Sequence, residues 1–129
     1  MKLICVYNAE AGLLNALIDS VHKTLSPDTY PCDLCAITYG VFTMDKQWRR
    51  WIKALPMPTH FYHRADFKAA WPNVAVTLPV IMLEQKSGLT TIVAAHDFSG
   101  TKTVNDLIAL LETRLAKYGD QERHDDHAL

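Results

Sequence analysis

A proline at the head of an apolar run, followed by a turn and a second β-rich run, most constrains how this chain can fold. The run is Leu78-Pro79-Val80-Ile81-Met82-Leu83. A strand tolerates proline at its first positions, where no ladder N–H is missed. Lys86-Ser87-Gly88 is a turn signal. Residues 89–95 are the next strand, so the two runs predict an antiparallel hairpin. Thr103 then caps a last helix, with Asp106 in its first turn. That helix carries the apolar stripe Val104, Leu107, Ile108, Leu111 and Leu115.

Upstream of the hairpin, helical and extended patterns alternate. Residues 2–8 are β-rich and nearly all apolar, which suits a buried strand. Leu13, Leu14, Leu17, Ile18, Val21 and Leu25 recur at helical spacing, and Pro27 stops that helix. Residues 32–40 fit either a strand around Ile37-Thr38-Tyr39 or a helical turn opening at the cysteines. Thr43 is the expected N-cap of a helix over 44–55, with Trp48, Trp51, Ile52 and Leu55 on one face. Pro56 and Pro58 end it. Residues 60–63 read as a short strand and 66–71 as one or two helical turns closed by Pro72. This order predicts an α/β fold, a mixed sheet with helices on both faces.

Of the 129 residues, 49% are hydrophobic, enough for one core without disulfides or metals. We expect a single domain over 1–118 and a flexible C-terminal tail over 119–129, where the apolar period stops. Thirteen Lys and Arg against fourteen Asp and Glu give a net charge of −1, which argues against a general nucleic-acid binder or a polybasic membrane protein. The apolar run from Leu3 to Tyr7 is too short for a signal peptide, and no stretch reaches the ~20 apolar residues that span a bilayer. The expected location is the cytoplasm. Three cysteines do not make a disulfide framework, and a C-x-x-C in that compartment points to redox chemistry or a metal.

Thr77-Leu78-Pro79-Val80, followed by a hairpin and a terminal helix, resembles the end of thioredoxin-fold proteins. The resemblance implies a thioredoxin-like mixed sheet, a cis proline at Pro79 and active cysteines beside it. It covers most of the chain by element order, with Leu78-Pro79 as its one motif. The cysteines depart from it. Where the family carries C-x-x-C, after the first strand, this chain has Asn8, Ala9, Glu10 and Ala11. The small thioredoxin-like DCC proteins share the strand, acidic loop and helix opening, and their cysteines are missing from this loop too. Either the pair is displaced by one element, or residues 2–25 are an added strand and helix and Cys32 opens the next helical region.

That pair, Cys32-Asp33-Leu34-Cys35, is the lead candidate for chemistry. At the start of a helix, backbone N–H groups and the dipole stabilise a thiolate. Cys32 then attacks a disulfide and Cys35 resolves it. Asp28 and Asp33 oppose this, since nearby negative charge raises a thiol pKa. The bland alternative is two small residues in a half-buried turn. The second candidate is a noncatalytic zinc-binding or interaction module, in which His60 and His63 complete C-x2-C-x24-H-x2-H. On a strand the two histidines point to opposite faces, so one of them, His63 for preference, joins the cysteines. The third candidate is a plain scaffold for a partner.

Lys46, Arg49, Arg50 and Lys53 share the helix face opposite the tryptophans, a stripe suited to an acidic protein partner or a small anionic ligand, or simply to solvent. Asn8 and Glu10 fall where α/β sheets bind ligands. Gly100-Thr101-Lys102-Thr103 lacks the rest of a phosphate-loop pattern. Cys5, inside the first strand, reads as a small buried hydrophobe.

Overall fold

The structure, a computed structural model, describes residues 1–8 and 45–127, with side chains to Tyr118. The helix expected over 13–25, the ambiguous segment 32–40 and the cysteine pair lie outside the described residues.

Within them the chain order is β1 (Lys2–Val6), α1 (Lys46–Ala54), β2 (Thr59–Tyr62), α2 (Arg64–Ala70), β3 (Val80–Gln85), β4 (Gly88–Val93), a 3-10 turn (Ala95–Gly100) and α3 (Val104–His127). The sheet order is β2-β1-β3-β4. β1 and β2 are parallel, while β3 is antiparallel to both β1 and β4. β1 is hydrogen-bonded on both edges, and Leu3 to Val6 are fully buried, as their uninterrupted apolar character requires.

Alternation along the strands divides the core. Leu3, Cys5, Tyr7, Ile81 and Leu83 pack with Trp48 of α1 and with Leu107 and Leu111 of α3. Ile4, Val6, Val80 and Met82 pack with Phe67 of α2. Among the described residues, two helices therefore cover one face and one covers the other.

The helix ends follow from local chemistry. α1 is capped by Asp45, whose carboxylate accepts the Trp48 N–H at 3.0 Å. The expected cap at Thr43 is therefore corrected by two residues: Asp45 lies three before the N–H it serves. Leu55 is extended, as the residue before Pro56 must be, and this closes α1. At α3, Thr103 Oγ accepts the Asp106 N–H at 3.1 Å and the Asp106 carboxylate accepts the Thr103 N–H at 3.3 Å. This reciprocal cap occupies the stretch that superficially looked like a phosphate loop.

β4 ends at Val93, and Ala95–Gly100 is a 3-10 turn, where the sequence suggested strand through 95. Register slips between Ile81 and Met82, which pair with Val93 and Thr91 and leave Ile92 as a bulge. The Ile92 carbonyl accepts from Arg114 Nη1 at 2.6 Å. Arg114 also holds Asp97 at 2.8 Å, and Asp97 accepts the Ala94 N–H at 2.9 Å. One arginine of α3 thus satisfies the bulge and fixes the turn beyond it. The Asp97 carboxyl is held below its usual range, chiefly by this bond to Arg114.

The candidate site at the carboxyl rim of the sheet

β1 and β2 end at the same edge of the sheet, and β3 begins there. Val6 pairs with Val80, so one further step along that register sets Pro79 beside Tyr7. The Leu78–Pro79 peptide bond is cis. The Tyr7 N–H donates to the Tyr62 carbonyl at 2.8 Å, which carries the parallel pairing one residue past β1. In open α/β sheets this carboxyl edge is where ligands bind.

α1 also begins at this rim, because it returns the chain to the start of the parallel strand β2. A side-chain hydrogen bond from Gln47 to Asn105 ties its first turn to that of α3. Asn8, where the chain leaves β1, and Asp45, where α1 is capped, therefore both stand at the rim that carries Pro79.

Two rings line the end of β2. Tyr7 is buried and stacks on Phe61 with centroids 6.0 Å apart, and His63 lies tilted against it at 6.1 Å. His63 precedes α2, and its backbone N–H donates to Asp66 Oδ1 at 2.6 Å. Its Nδ1 lies 3.6 Å from Asp66 Oδ2, and the two side chains are 27% and 51% exposed. His60 is exposed, with its ring against Tyr62 at 6.3 Å. Phe61 packs with the face of α1 and α3, and Tyr62 with the face of α2. His63 accompanies the first and His60 the second, so the two do not converge. Among the described residues no three His, Cys, Asp or Glu side chains gather to hold a metal.

A cavity of about 280 Å³ opens on the α2 side of the rim, lined by Val76, Thr77, Val80, Thr91, Ala94 and His96 among others. Thr77 and Val80 bracket the cis bond in sequence. Sequence patterning missed this cavity because its walls come from the approach to β3 and the turn after β4. Only the hairpin pairing brings those together.

The other candidate residues sort by exposure. Lys46, Arg49, Arg50 and Lys53 are all exposed on α1. Cys5 is fully buried in β1, and desolvation pushes its thiol far above the ordinary value, so it stays protonated and unreactive. Among the described residues no helix is long and apolar enough to cross a membrane.

Compared with protein-family models, curated proteins and solved structures, the chain gives no match.

Proposed function

We propose that the chain is a thioredoxin-like protein that performs thiol–disulfide exchange with Cys32 and Cys35. One observation carries the reading: residues 9–44, which hold the chain's C-x-x-C, join the described fold at Asn8 and Asp45, both at the rim where Pro79 heads β3. The connectivity supports it as well. Among the described residues, a parallel β1–β2 pair, an antiparallel hairpin, two helices on one face and one on the other are compatible with the thioredoxin-like order whose motif is Leu78-Pro79.

The chemistry balances without a cofactor. Cys32 thiolate attacks one sulfur of a partner protein's disulfide. That S–S bond breaks, and the displaced partner thiolate takes up a proton. Cys35 thiolate then attacks the Cys32 sulfur of the mixed disulfide, which releases the second partner thiol and leaves Cys32–Cys35 oxidised. Two electrons have passed to the partner, and a dithiol reductant restores the pair. Cys5, buried and protonated, takes no part.

The test equilibrates the full chain in oxidised and reduced dithiothreitol over a range of ratios, then alkylates it and weighs it. The expected result is reversible loss of two alkylatable thiols together. Cys35→Ser should trap a mixed disulfide, and Cys5→Ala should leave the titration unchanged. Thiols that stay free at every ratio overturn the reading. So does one zinc ion per chain that is lost on Cys32→Ser, which is the outcome the metal alternative expects.

A further inference from the structure

We propose that the cavity between the approach to β3 and the turn after β4 binds a short-chain aliphatic carboxylate, with the hydrocarbon tail on Val80 and the head between Thr77, Thr91 and His96. This site goes beyond the thiol reading and does not depend on it.

The lining is graded from apolar to polar. Val80 is 1% exposed and forms the floor. Val76 and Ala94 are half-buried and form walls. Thr77, Thr91 and His96 are exposed and stand at the mouth. A ligand with one apolar end and one polar end matches that gradient. Its tail leaves water on Val80, and its head keeps polar company at the mouth. The volume, about 280 Å³, lies near the lower end of small-molecule pockets, so the ligand is small.

The bulge in β4 builds this lining. Thr91 pairs with Met82, a residue of the α2 side, and cross-strand partners share a face. In an unbroken strand residue 93 would share that face with residue 91. Instead Ile92 and Val93 both pack on the side of α1 and α3. The extra residue therefore returns Ala94 to the side of Thr91, and both line the cavity. Re-aiming side chains beside functional sites is a recurrent use of bulges. Arg114 holds the bulge through the Ile92 carbonyl and the following turn through Asp97. The wall that Ala94 and His96 supply is thereby set before a ligand arrives.

The groups at the mouth favour an anionic head. Thr77 and Thr91 bring hydroxyls that can donate, and His96 brings an imidazole. The Asp97 carboxylate stands next to this histidine, with Oδ1 3.6 Å from His96 Nε2. Arg114 engages both of its oxygens, at 2.8 and 3.3 Å, so its charge is answered inside the fold. Hydrogen bonds to a carboxylate are roughly twice as strong as those between neutral groups, which favours an acid over the matching alcohol.

The test follows the amide resonances of the full chain by nuclear magnetic resonance while hexanoate is added at constant ionic strength. Saturable shifts are expected at Thr77, Val80, Thr91, Ala94 and His96. Butyrate, two methylenes shorter, should bind about tenfold more weakly. Hexanol should also bind about tenfold more weakly, through loss of the charged acceptor. Hexylamine should produce no saturable shift at these residues. His96→Ala and Thr91→Val change exposed side chains and should each weaken hexanoate about threefold, as befits a head close to solvent.

Hexanoate shifts that do not saturate, or that map to another surface, overturn the proposal. So does affinity that the double variant His96→Ala, Thr91→Val keeps. Butyrate binding as tightly as hexanoate overturns the role of the apolar floor, and hexanol or hexylamine doing so overturns the choice of an acid. The same titration on the Cys32→Ser, Cys35→Ser variant should be unchanged, which separates this site from the thiol chemistry; affinity lost there would overturn a site independent of the cysteines.

Discussion

On the face covered by α1 and α3, Trp48, Leu107 and Leu111 reach no solvent and meet Leu3, Cys5, Ile81 and Leu83 across the sheet. On the opposite face the described cover is the seven-residue helix α2. There Phe67 and Met82 are buried, but Tyr62, Trp71, Val74, Val76, Leu78 and Leu89 around them are only partly so. Tyr62, Phe67 and Trp71 interlock edge-on or tilted, with centroids 5.4 to 6.1 Å apart. The deep face is built for stability. The shallow one borders the cavity beside Pro79, whose volume has room for a small ligand.

If this contrast is right, truncation should cost most on the deep face. Trp48→Ala is expected to lose about 4–5 kcal/mol in urea unfolding, near the top of the range for large aromatic truncations. Phe67→Ala should lose about 3 kcal/mol, because half-exposed neighbours can settle into the space. An equal or larger loss at Phe67 would erase the distinction between the faces. Trp48→Phe sharpens it: the indole N–H is buried without an acceptor, so removing it spares an unsatisfied donor and should recover part of the lost stability.

Smaller effects are expected where the two faces meet. Asp97 is 17% exposed and Arg114 38%, so solvent screens part of their pairing, and Asp97→Asn should cost about 1–2 kcal/mol. Because the folded carboxyl is held low, its contribution is complete above the unfolded value of about 3.9 and is lost as pH falls through the folded one. Urea midpoints measured from pH 7 downward should therefore begin to converge for wild type and Asp97→Asn below about pH 4 and meet once pH has fallen through the lowered folded value. A gap that persists there would place the effect in packing. The smallest change is Thr103→Ala, about 1 kcal/mol by loss of a cap, read as a shift in thermal midpoint with the two-face contrast intact.

What the sequence made legible was local. The hairpin could be read because β-rich runs flank a turn, and its last residue, Gly88, has φ +125°, a region side chains avoid. The α3 cap was readable because Thr103 and Asp106 stand three apart. The cap of α1 was misplaced because Thr43 and Asp45 are both good caps, and only the bond to the Trp48 N–H decides between them. The Asp97–Arg114–Ile92 linkage left no trace, since a bulge and an ion pair seventeen residues apart have no periodicity. Of the candidate site, the opposed histidines followed from strand geometry, while Pro79 followed from strand chemistry only as the head of β3 and was marked as a site residue by the resemblance to thioredoxin-fold proteins. The meeting of Tyr7, His63 and Pro79 at one rim needed the order β2-β1-β3, which depends on long-range pairing.

The Lys86–Ser87 turn sits at the other end of the sheet, where Lys2 pairs with Glu84 and Gln85 with Gly88. This gives the molecule a natural handle. A biotin or a short tag grafted at Ser87 would hang it on a sensor chip with the Pro79 end turned toward the liquid, and captured ligands would meet no obstruction from the surface.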